Sequence, residues 1–166
     1  MAAPLVVWRV SALKHAATAF SGEGAALHPG RWNGRGTRVV YASESLAVAM
    51  LEWLAYALNS RLGEPYVYFE THLLPESVLE LHPSSLPPDW NALPHPASTQ
   101  DLGDAWVEGG DSAVLRVPSV VVPRAFNYLL NPGHPDFARV TWSDPQPLSF
   151  DSRLERLVEQ ARRGTA

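Results

Sequence analysis

Glu52 stands out as a candidate chemical group because of its surroundings in the sequence. It is the only charged side chain in the apolar run 46–58, and the residues at helical spacing from it include Val48 and Ala55. Burying a carboxylate without partners costs several kcal/mol. We therefore expect Glu52 to pair with a cation, to accept hydrogen bonds or to face a water-filled cleft. The pattern alone leaves a catalytic and a structural role open.

A second candidate is Arg31, which lies in the glycine-rich segment Pro-Gly-Arg-Trp-Asn-Gly-Arg-Gly. Small residues allow a close backbone approach there, and a guanidinium can bind a carboxylate or a pyrophosphate with two parallel hydrogen bonds. Loops of this composition are more often simple turns. The segment matches neither the spaced glycines of dinucleotide-binding folds nor the Gly-Lys-Ser/Thr loop of nucleotide hydrolases.

Other common catalytic groups are poorly supported. Four of the six histidines precede proline, which favours an extended backbone and removes the i, i+4 spacing of many zinc sites, so we predict no metal. The absence of cysteine excludes disulfides and thiolate chemistry. Ser119, His134 and Asp136 could form a hydrolytic triad, but Ser119 lacks the Gly-x-Ser-x-Gly elbow, and we disfavour this alternative.

The elements that must position these groups are short and separated by many turns. The 166 residues include 15 prolines and 11 glycines, and 46% are hydrophobic, which is enough for one core. Periodicity and turn residues predict strands at 5–10, 37–42, 66–73 and 137–142, two strand pieces within 113–123, and helices at 46–58, 100–108 and 151–163. Long loops are predicted up to residue 36 and over 75–110. Strands bracketing one buried helix predict a single α+β domain over 1–166.

The helix at 46–58 would carry the candidate glutamate. Ser43 is predicted to cap its N-terminus, with Glu44 in the first turn. Its apolar residues cover every side, which predicts burial on most faces. The C-terminal helix instead has one apolar stripe, made of Leu154, Leu157, Val158 and Ala161. Such a stripe more often packs on its own domain than on a partner.

Charge and hydropathy exclude two classes of partner. The net charge of −4 and the lack of a basic run argue against direct nucleic-acid binding. No stretch reaches the roughly 18 consecutive apolar residues of a membrane span, and the N-terminus lacks a secretory signal pattern. We therefore expect no membrane association and a cytoplasmic location.

Several separated motifs, taken in order, resemble the RES-domain proteins, which are toxins of two-component toxin–antitoxin pairs. The matching segments cover nearly the whole chain and are Trp8-Arg9-Val10, Gly22-Glu23-Gly24-Ala25, Gly30-Arg31-Trp32-Asn33, Val40-Tyr41-Ala42-Ser43, Leu51-Glu52, Val117-Pro118-Ser119 and residues 127–136. One departure is Pro29-Gly30, which stands where the family has a Gly-Gly pair before Arg-Trp-Asn.

The resemblance implies a fold like the NAD-binding core of ADP-ribosyltransferases, with a mixed, split β-sheet, few helices and a cleft. It implies that the catalytic positions are Arg31, Glu52 and Ser119. It also implies that the NAD contacts are Arg31, Tyr41, Ser119 and Asn127. In this scheme Arg31 would clamp the pyrophosphate, Tyr41 would stack on nicotinamide, and Ser119 would bond the nicotinamide ribose or its neighbours.

The resemblance also implies a reaction and a partner. Members of the family consume NAD as a substrate, by hydrolysis, phosphorolysis or ADP-ribosyl transfer to a protein, and a helix-turn-helix (Xre-type) antitoxin neutralises them. A homodimer is a further implication. Cleaving the nicotinamide–ribose bond builds positive charge at ribose C1′, which a carboxylate such as Glu52 would oppose. The alternative from another class is an inert protein-binding module, in which Arg31 and Glu52 form a buried ion pair.

Overall fold

The computed structural model describes residues 3–57 and 64–164, which form one mixed sheet of eight strands with helices around it. The strands are β1 (Leu5–Ala12), β2 (Val40–Ser43), β3 (Tyr66–Leu73), β4 (Val78–Glu80), β5 (Val114–Pro118), β6 (Phe126–Leu130), β7 (Thr141–Trp142) and β8 (Gln146–Leu148). Their order across the sheet is β4-β5-β6-β2-β1-β3-β7, and β8 also pairs with β3. The β4–β5 pair is parallel and the other pairs are antiparallel.

Helices and short 3-10 turns connect the strands. The helices are α1 (Glu23–Leu27), α2 (Leu46–Ala57), α3 (Ala97–Gly109) and α4 (Ser152–Gly164). The 3-10 turns lie at Leu13–Thr18, Pro75–Ser77, Pro83–Ser85 and Pro135–Arg139. Helix α2 packs on β1 and β2. Across residues 3–57 and 64–164, no helix has the length and apolarity needed to span a bilayer.

Each face of the sheet is covered by its own apolar core. Consecutive strand residues point to opposite faces, so Val114 and Leu115 of β5 belong to different cores. The first core includes Val7, Phe20, Val40, Phe69, Leu73, Tyr128 and Leu130. The second core is formed by Trp32, Val39, Trp106, Leu115, Val117 and Leu129. Trp106 belongs to α3, which therefore packs on the second face.

Helix α2 begins at Leu46 as predicted, but its predicted N-cap was wrong by two residues. Ser43 does not cap the helix, because it is the last residue of β2 and its hydroxyl bonds elsewhere. The hydroxyl of Ser45 instead accepts a hydrogen bond from Val48 N at 3.1 Å. A serine two residues later in the chain therefore satisfies one of the first free N–H groups of the helix. The last residue of the predicted helix, Leu58, lies outside the described residues.

The predicted burial of α2 on most faces was also wrong. Val48 and Ala49 are buried, but the side chains of Leu51 and Tyr56 are 45% and 65% exposed. The helix lies on β1 and β2 with one side, so its apolar composition does not correspond to burial all round. The apolar stripe of α4 is likewise buried only in part, since Val158 is buried while Leu157 is 60% exposed.

Other elements match the predictions to different degrees. The strand at 66–73 and the C-terminal helix are confirmed. The second predicted strand piece in 113–123 is a turn, closed by a hydrogen bond from Ala125 N to Val122 O, and β6 follows it. Most of the predicted strand at 137–142 is a 3-10 turn that precedes β7. The sequence analysis missed β4, β6, β8 and α1.

Candidate active site

The carboxylate of Glu52 is fixed through one of its two oxygens. Ser119 Oγ donates to Glu52 Oε1 at 2.6 Å, and Asn127 Nδ2 donates to the same oxygen at 2.7 Å. Within the described part of the chain, Oε2 has no hydrogen-bond partner, and it is not a buried atom. Glu52 is half-buried on α2, whereas its two partners come from the β5–β6 region 67 and 75 residues later. One carboxylate oxygen is therefore held while the other is open to a ligand.

The hydroxyl of Ser119 is fully engaged within the protein. It accepts hydrogen bonds from Val121 N at 3.1 Å and from Val122 N at 2.9 Å. Its own proton goes to Glu52. A serine hydroxyl has one donor and two acceptor sites, so all three are used. Ser119 lies directly after β5, and the turn that follows it supplies the two amides.

Asn127 is oriented by a residue that the sequence analysis did not assign to the site. Its Oδ1 accepts a hydrogen bond from Ser43 Oγ at 2.7 Å, which leaves Nδ2 directed at Glu52. Ser43 and Asn127 are directly opposite each other in the β2–β6 pairing. The contact could have been sought in the matched Tyr-Ala-Ser motif, but only the strand register brings the two residues together.

The guanidinium of Arg31 lies on the same side of the sheet and is anchored by backbone carbonyls. Its Nη1 donates to Trp90 O and to Ala92 O, each at 2.8 Å. Its Nε and Nη2 bond no other described residue. Burial lowers the pKa of Arg31 below its ordinary value. The charge of Glu52 opposes this change, and Tyr41 opposes it to a smaller extent. The carboxylate of Glu52 is therefore near enough to act on the charge of Arg31.

The ion pair of the inert-module alternative is not formed. Among the described residues, Arg31 and Glu52 make no salt bridge within 4.0 Å, and each has other partners. The two side chains are coupled through space without contact. The opposite charges of Arg31 and Glu52 are therefore not neutralised by direct contact with each other.

Tyr41 connects β2 to the loop that carries Arg31. Its hydroxyl donates to Asn33 Oδ1 at 2.7 Å and accepts from Trp32 N at 3.1 Å. Burial raises the pKa of Tyr41 well above its usual range. An added Cβ at Gly30 would lie 2.8 Å from this hydroxyl, so glycine is needed there for steric reasons. The hydroxyl supports the loop, and only the ring remains for the predicted stacking on nicotinamide.

Asn33 organises the rest of this loop and was not among the predicted site residues. Its side chain is fully buried. Oδ1 also accepts from Gly30 N at 3.0 Å, and Nδ2 donates to the carbonyls of Ala25 at 2.8 Å, Gly34 at 3.1 Å and Thr37 at 3.3 Å. The loop is therefore fixed by a buried carboxamide, although its glycines permit many backbone conformations. The Arg-Trp-Asn motif was the available signal.

Arg9 supports β2, the strand that contains Tyr41, from the other face of the sheet. Its Nε donates to Ala19 O at 2.6 Å and its Nη1 to Tyr41 O at 2.8 Å. Burial lowers the pKa of Arg9 to about 10. Arg9 was noted only as part of the Trp-Arg-Val match. Its role in the structure is to fix the carbonyl of a site residue.

His134 and Asp136, the two other members of the disfavoured hydrolytic triad, make no hydrogen bond to Ser119. His134 Nδ1 accepts from Asp136 N at 3.0 Å, and its Nε2 lies 3.1 Å from Gly110 O, so the two residues form a local turn. No group of three or more His, Asp or Glu side chains that could hold a metal occurs in residues 3–57 and 64–164. A cavity of about 380 Å³ beside Arg116 and Tyr128 opens on the first face of the sheet, opposite the candidate site.

Comparison with known proteins decides the family. A model of the RES domain matches residues 6–151 of the chain. The chain belongs to the RES domain family. It is 35% identical over 153 residues to "Toxin Res" of Yersinia enterocolitica, which covers 91% of this chain and 100% of that relative. This confirms the resemblance seen in the motifs.

Two further comparisons concern another relative in sequence and a solved structure. A relative from Sphingobium sp., named "Prs ADP-ribosylating toxin", is 35% identical over 156 residues, covering 90% of this chain and 96% of that one. The solved MbcT–MbcA toxin–antitoxin complex of M. tuberculosis contains a chain similar in structure, with a TM-score of 0.70 at 18% identity. The match covers 96% of this chain and 90% of that chain. It confirms the predicted fold class, a single α+β domain with a mixed sheet and few helices.

Proposed function

We propose that this RES protein is a toxin that consumes NAD. It cleaves the bond between nicotinamide and ribose and passes the ADP-ribosyl group to water or phosphate, with residues 1–166 acting as one domain. The family supports a toxin, and the name of the Sphingobium relative supports chemistry on NAD. The observation that carries the proposal for this chain is the state of Glu52, whose Oε1 is fixed by two hydrogen bonds while Oε2 is open.

The open oxygen of Glu52 suits the charge that develops in this reaction. As the bond breaks, its electron pair leaves with the nicotinamide nitrogen, and positive charge grows on ribose C1′ and the ring oxygen. A carboxylate fixed near C1′ stabilises that charge and accepts a hydrogen bond from a ribose hydroxyl. An oxygen of water or phosphate then bonds to C1′ and gives its proton to solvent. Nicotinamide departs as a neutral molecule, so no protein nucleophile is required.

Arg31 is the proposed contact for the pyrophosphate of NAD. Its Nη1 is used by two carbonyls, whereas Nε and Nη2 are available for two parallel hydrogen bonds to phosphate oxygens. NAD presents a dianionic pyrophosphate and a cationic nicotinamide ribose. The separated Arg31 and Glu52 match these two charges in kind, which is why we prefer NAD to a ligand of one sign.

The proposed partner is an antitoxin of the helix-turn-helix, Xre type, and the proposed location is the cytoplasm. The structural neighbour from M. tuberculosis was solved as a toxin–antitoxin complex. Inducible expression in a bacterial host tests the toxin assignment. The parent is expected to stop growth, and the matched Glu52→Gln variant is expected to be harmless at the same protein level. Equal growth of both strains would contradict the assignment.

The reaction itself is tested by incubating the purified protein with NAD and measuring nicotinamide and the mass of the second product. We expect nicotinamide with ADP-ribose in phosphate-free buffer, or with its phosphorylated form when phosphate is the acceptor. NAD consumption would be refuted if no nicotinamide above background appeared with phosphate, without phosphate, or with protein acceptors added.

A second candidate function is ADP-ribosyl transfer to a protein, which the name of the Sphingobium relative favours. The bond broken and the role of Glu52 are the same, and only the acceptor differs. A host extract incubated with the protein and labelled NAD separates the two. Label on a protein band that requires Glu52 supports transfer, whereas label only in small molecules supports hydrolysis or phosphorolysis.

A further inference from the structure

The loop that carries Arg31 is supported along its length by one face of α3. We call residues 30–34 the arginine loop. Gln100 Nε2 donates to Gly30 O at 3.0 Å, at the beginning of the loop. At its end, Gly34 N donates to Asp104 Oδ1 at 2.8 Å. Positions 100 and 104 are one helical turn apart and share a face, so the same side of α3 contacts both ends of the loop.

The middle of the arginine loop lies directly against the same helix face. Gly103 is positioned between the two hydrogen-bonding residues, and a Cβ added to it would collide with the carbonyl of Trp32. The ring of Trp32 is buried in the second core with Trp106, which belongs to the next turn of α3. The loop therefore cannot shift along α3 without disturbing both backbone contacts and core packing.

The guanidinium of Arg31 is linked to the same helix by a second route. The carbonyls that accept from its Nη1 belong to the turn at residues 90–92. This turn follows Asp89, whose Oδ1 accepts from Ser98 Oγ in the first turn of α3 at 2.6 Å. Helix α3 thus carries the support of the arginine backbone and the support of its side chain.

We propose that Ser98, Gln100 and Asp104 are positioning residues for the dinucleotide, acting through Arg31. They fix the guanidinium with Nε and Nη2 directed at the pyrophosphate. A pre-positioned side chain loses less conformational freedom on binding, so these residues contribute to NAD affinity. Arg31 does not contact the bond that breaks in the proposed function, on which this inference rests, so the chemical step is unaffected by them.

The test separates binding from chemistry. NAD dissociation constants are measured calorimetrically in a Glu52→Gln background, and KM and kcat are measured in the active protein. Asp104→Ala is expected to raise the dissociation constant and KM about tenfold, the effect of one lost hydrogen bond to a partly buried N–H, with kcat within twofold. Asp104→Asn is expected to stay near the parent because its Oδ1 still accepts.

Two further variants complete the design. Ser98→Ala removes an exposed contact and is expected to raise the dissociation constant about threefold without a folding defect. Asp101→Ala is the matched control, since it lies exposed on the same helix, and it is expected to behave as the parent. Parental affinity in both Asp104→Ala and Ser98→Ala would overturn the inference, as would a loss of kcat at unchanged KM. A parent that neither binds nor cleaves NAD would instead refute the proposed function.

Discussion

At the scale of single residues, Ser119 and Asn127 are best understood as supports for Glu52. A carboxylate that receives two hydrogen bonds on one oxygen is fixed in orientation, and its second oxygen stays free for a ligand. Two backbone amides donate to the hydroxyl oxygen of Ser119 and occupy both of its acceptor sites. The expected contact between Ser119 and the nicotinamide ribose stays a prediction, and one variant separates it from the supporting role.

The Ser119→Ala variant tests the supporting role. Loss of one charge-assisted hydrogen bond is expected to lower kcat about ten- to hundredfold. In a Glu52→Gln background the same change is expected to have little further effect, because the group it supports is already disabled. A double-mutant cycle on nicotinamide release measures this coupling. Independent, multiplicative losses would show that Ser119 acts on the substrate directly.

Tyr41 predicts a pH dependence of stability. Its pKa is raised in the folded protein, from an ordinary value of 10.0. Above about pH 10 the unfolded chain loses this proton while the folded chain keeps it, so stability falls as the pH rises. Tyr41→Phe is expected to be less stable at pH 8, because Trp32 N loses its acceptor, but to lose less stability between pH 8 and 11. Urea unfolding at both pH values measures the difference.

The matched control for this prediction is Tyr56→Phe, since the Tyr56 side chain is 65% exposed. It is expected to keep the alkaline loss of the parent. If Tyr41→Phe and the parent lose the same stability on going to pH 11, the buried hydroxyl does not have the predicted effect.

The site residues differ in how far the sequence could reveal them. Glu52 was visible because a lone charge in an apolar helix requires partners. The partners of Glu52 could not be derived, because the contacts bridge 67 and 75 residues and depend on how α2 lies over the sheet. Ser43 shows the same limit. Its type and position suited a helix cap, and only the β2–β6 register directs it at Asn127.

At the scale of elements, α3 contributes more to the site than its sequence suggests. It was predicted as a short helix in a loop-rich region and was given no role. The close approach of its backbone to the arginine loop depends on Gly103, at which any side chain would meet Trp32 O. A glycine inside a helix is unfavourable for the helix itself, and its presence here is explained by this packing.

Gly103→Ala is therefore expected to destabilise the protein by about 1–3 kcal/mol, as overpacking does, in spite of alanine's higher helix propensity. Gly109→Ala is the matched control on the same helix. The nearest atom to its added Cβ is Asp111 Oδ2, at an ordinary 3.6 Å. This variant is expected to be neutral or up to about 1 kcal/mol more stable. Chemical denaturation of both variants checks the prediction, and equal stability would contradict it.

Elements with strong local patterns were predicted well, and elements that depend on tertiary contacts were not. The strand at 66–73 is rich in aromatic and β-branched residues and was found at the predicted bounds. The run 120–123 is rich in β-branched residues, yet it turns, with Arg124 in the left-handed region at φ 66°. Two of the missed strands, β4 and β8, have three residues each and gain their identity from pairing with β5 and β3.

At the scale of the whole molecule, the candidate groups and most of their supporting contacts lie on one face of the sheet. On its first face, Arg9 and the larger core fix the strands. On its second face, α2 brings Glu52 and α3 brings the support for Arg31. The candidate groups thus come from distant parts of the chain and lie on one side of the sheet. This arrangement explains why the order of the motifs, more than any one of them, indicated the family.

The central claim is that the open oxygen of Glu52 stabilises positive charge on the ribose of NAD, and one comparison tests it most directly. Nicotinamide release and NAD binding are measured for the parent and for Glu52→Gln, which has the same shape and can still accept from Ser119. The account predicts that release falls at least about a thousandfold, while the dissociation constant for NAD changes less than about threefold. Release by Glu52→Gln at the parental rate would contradict it.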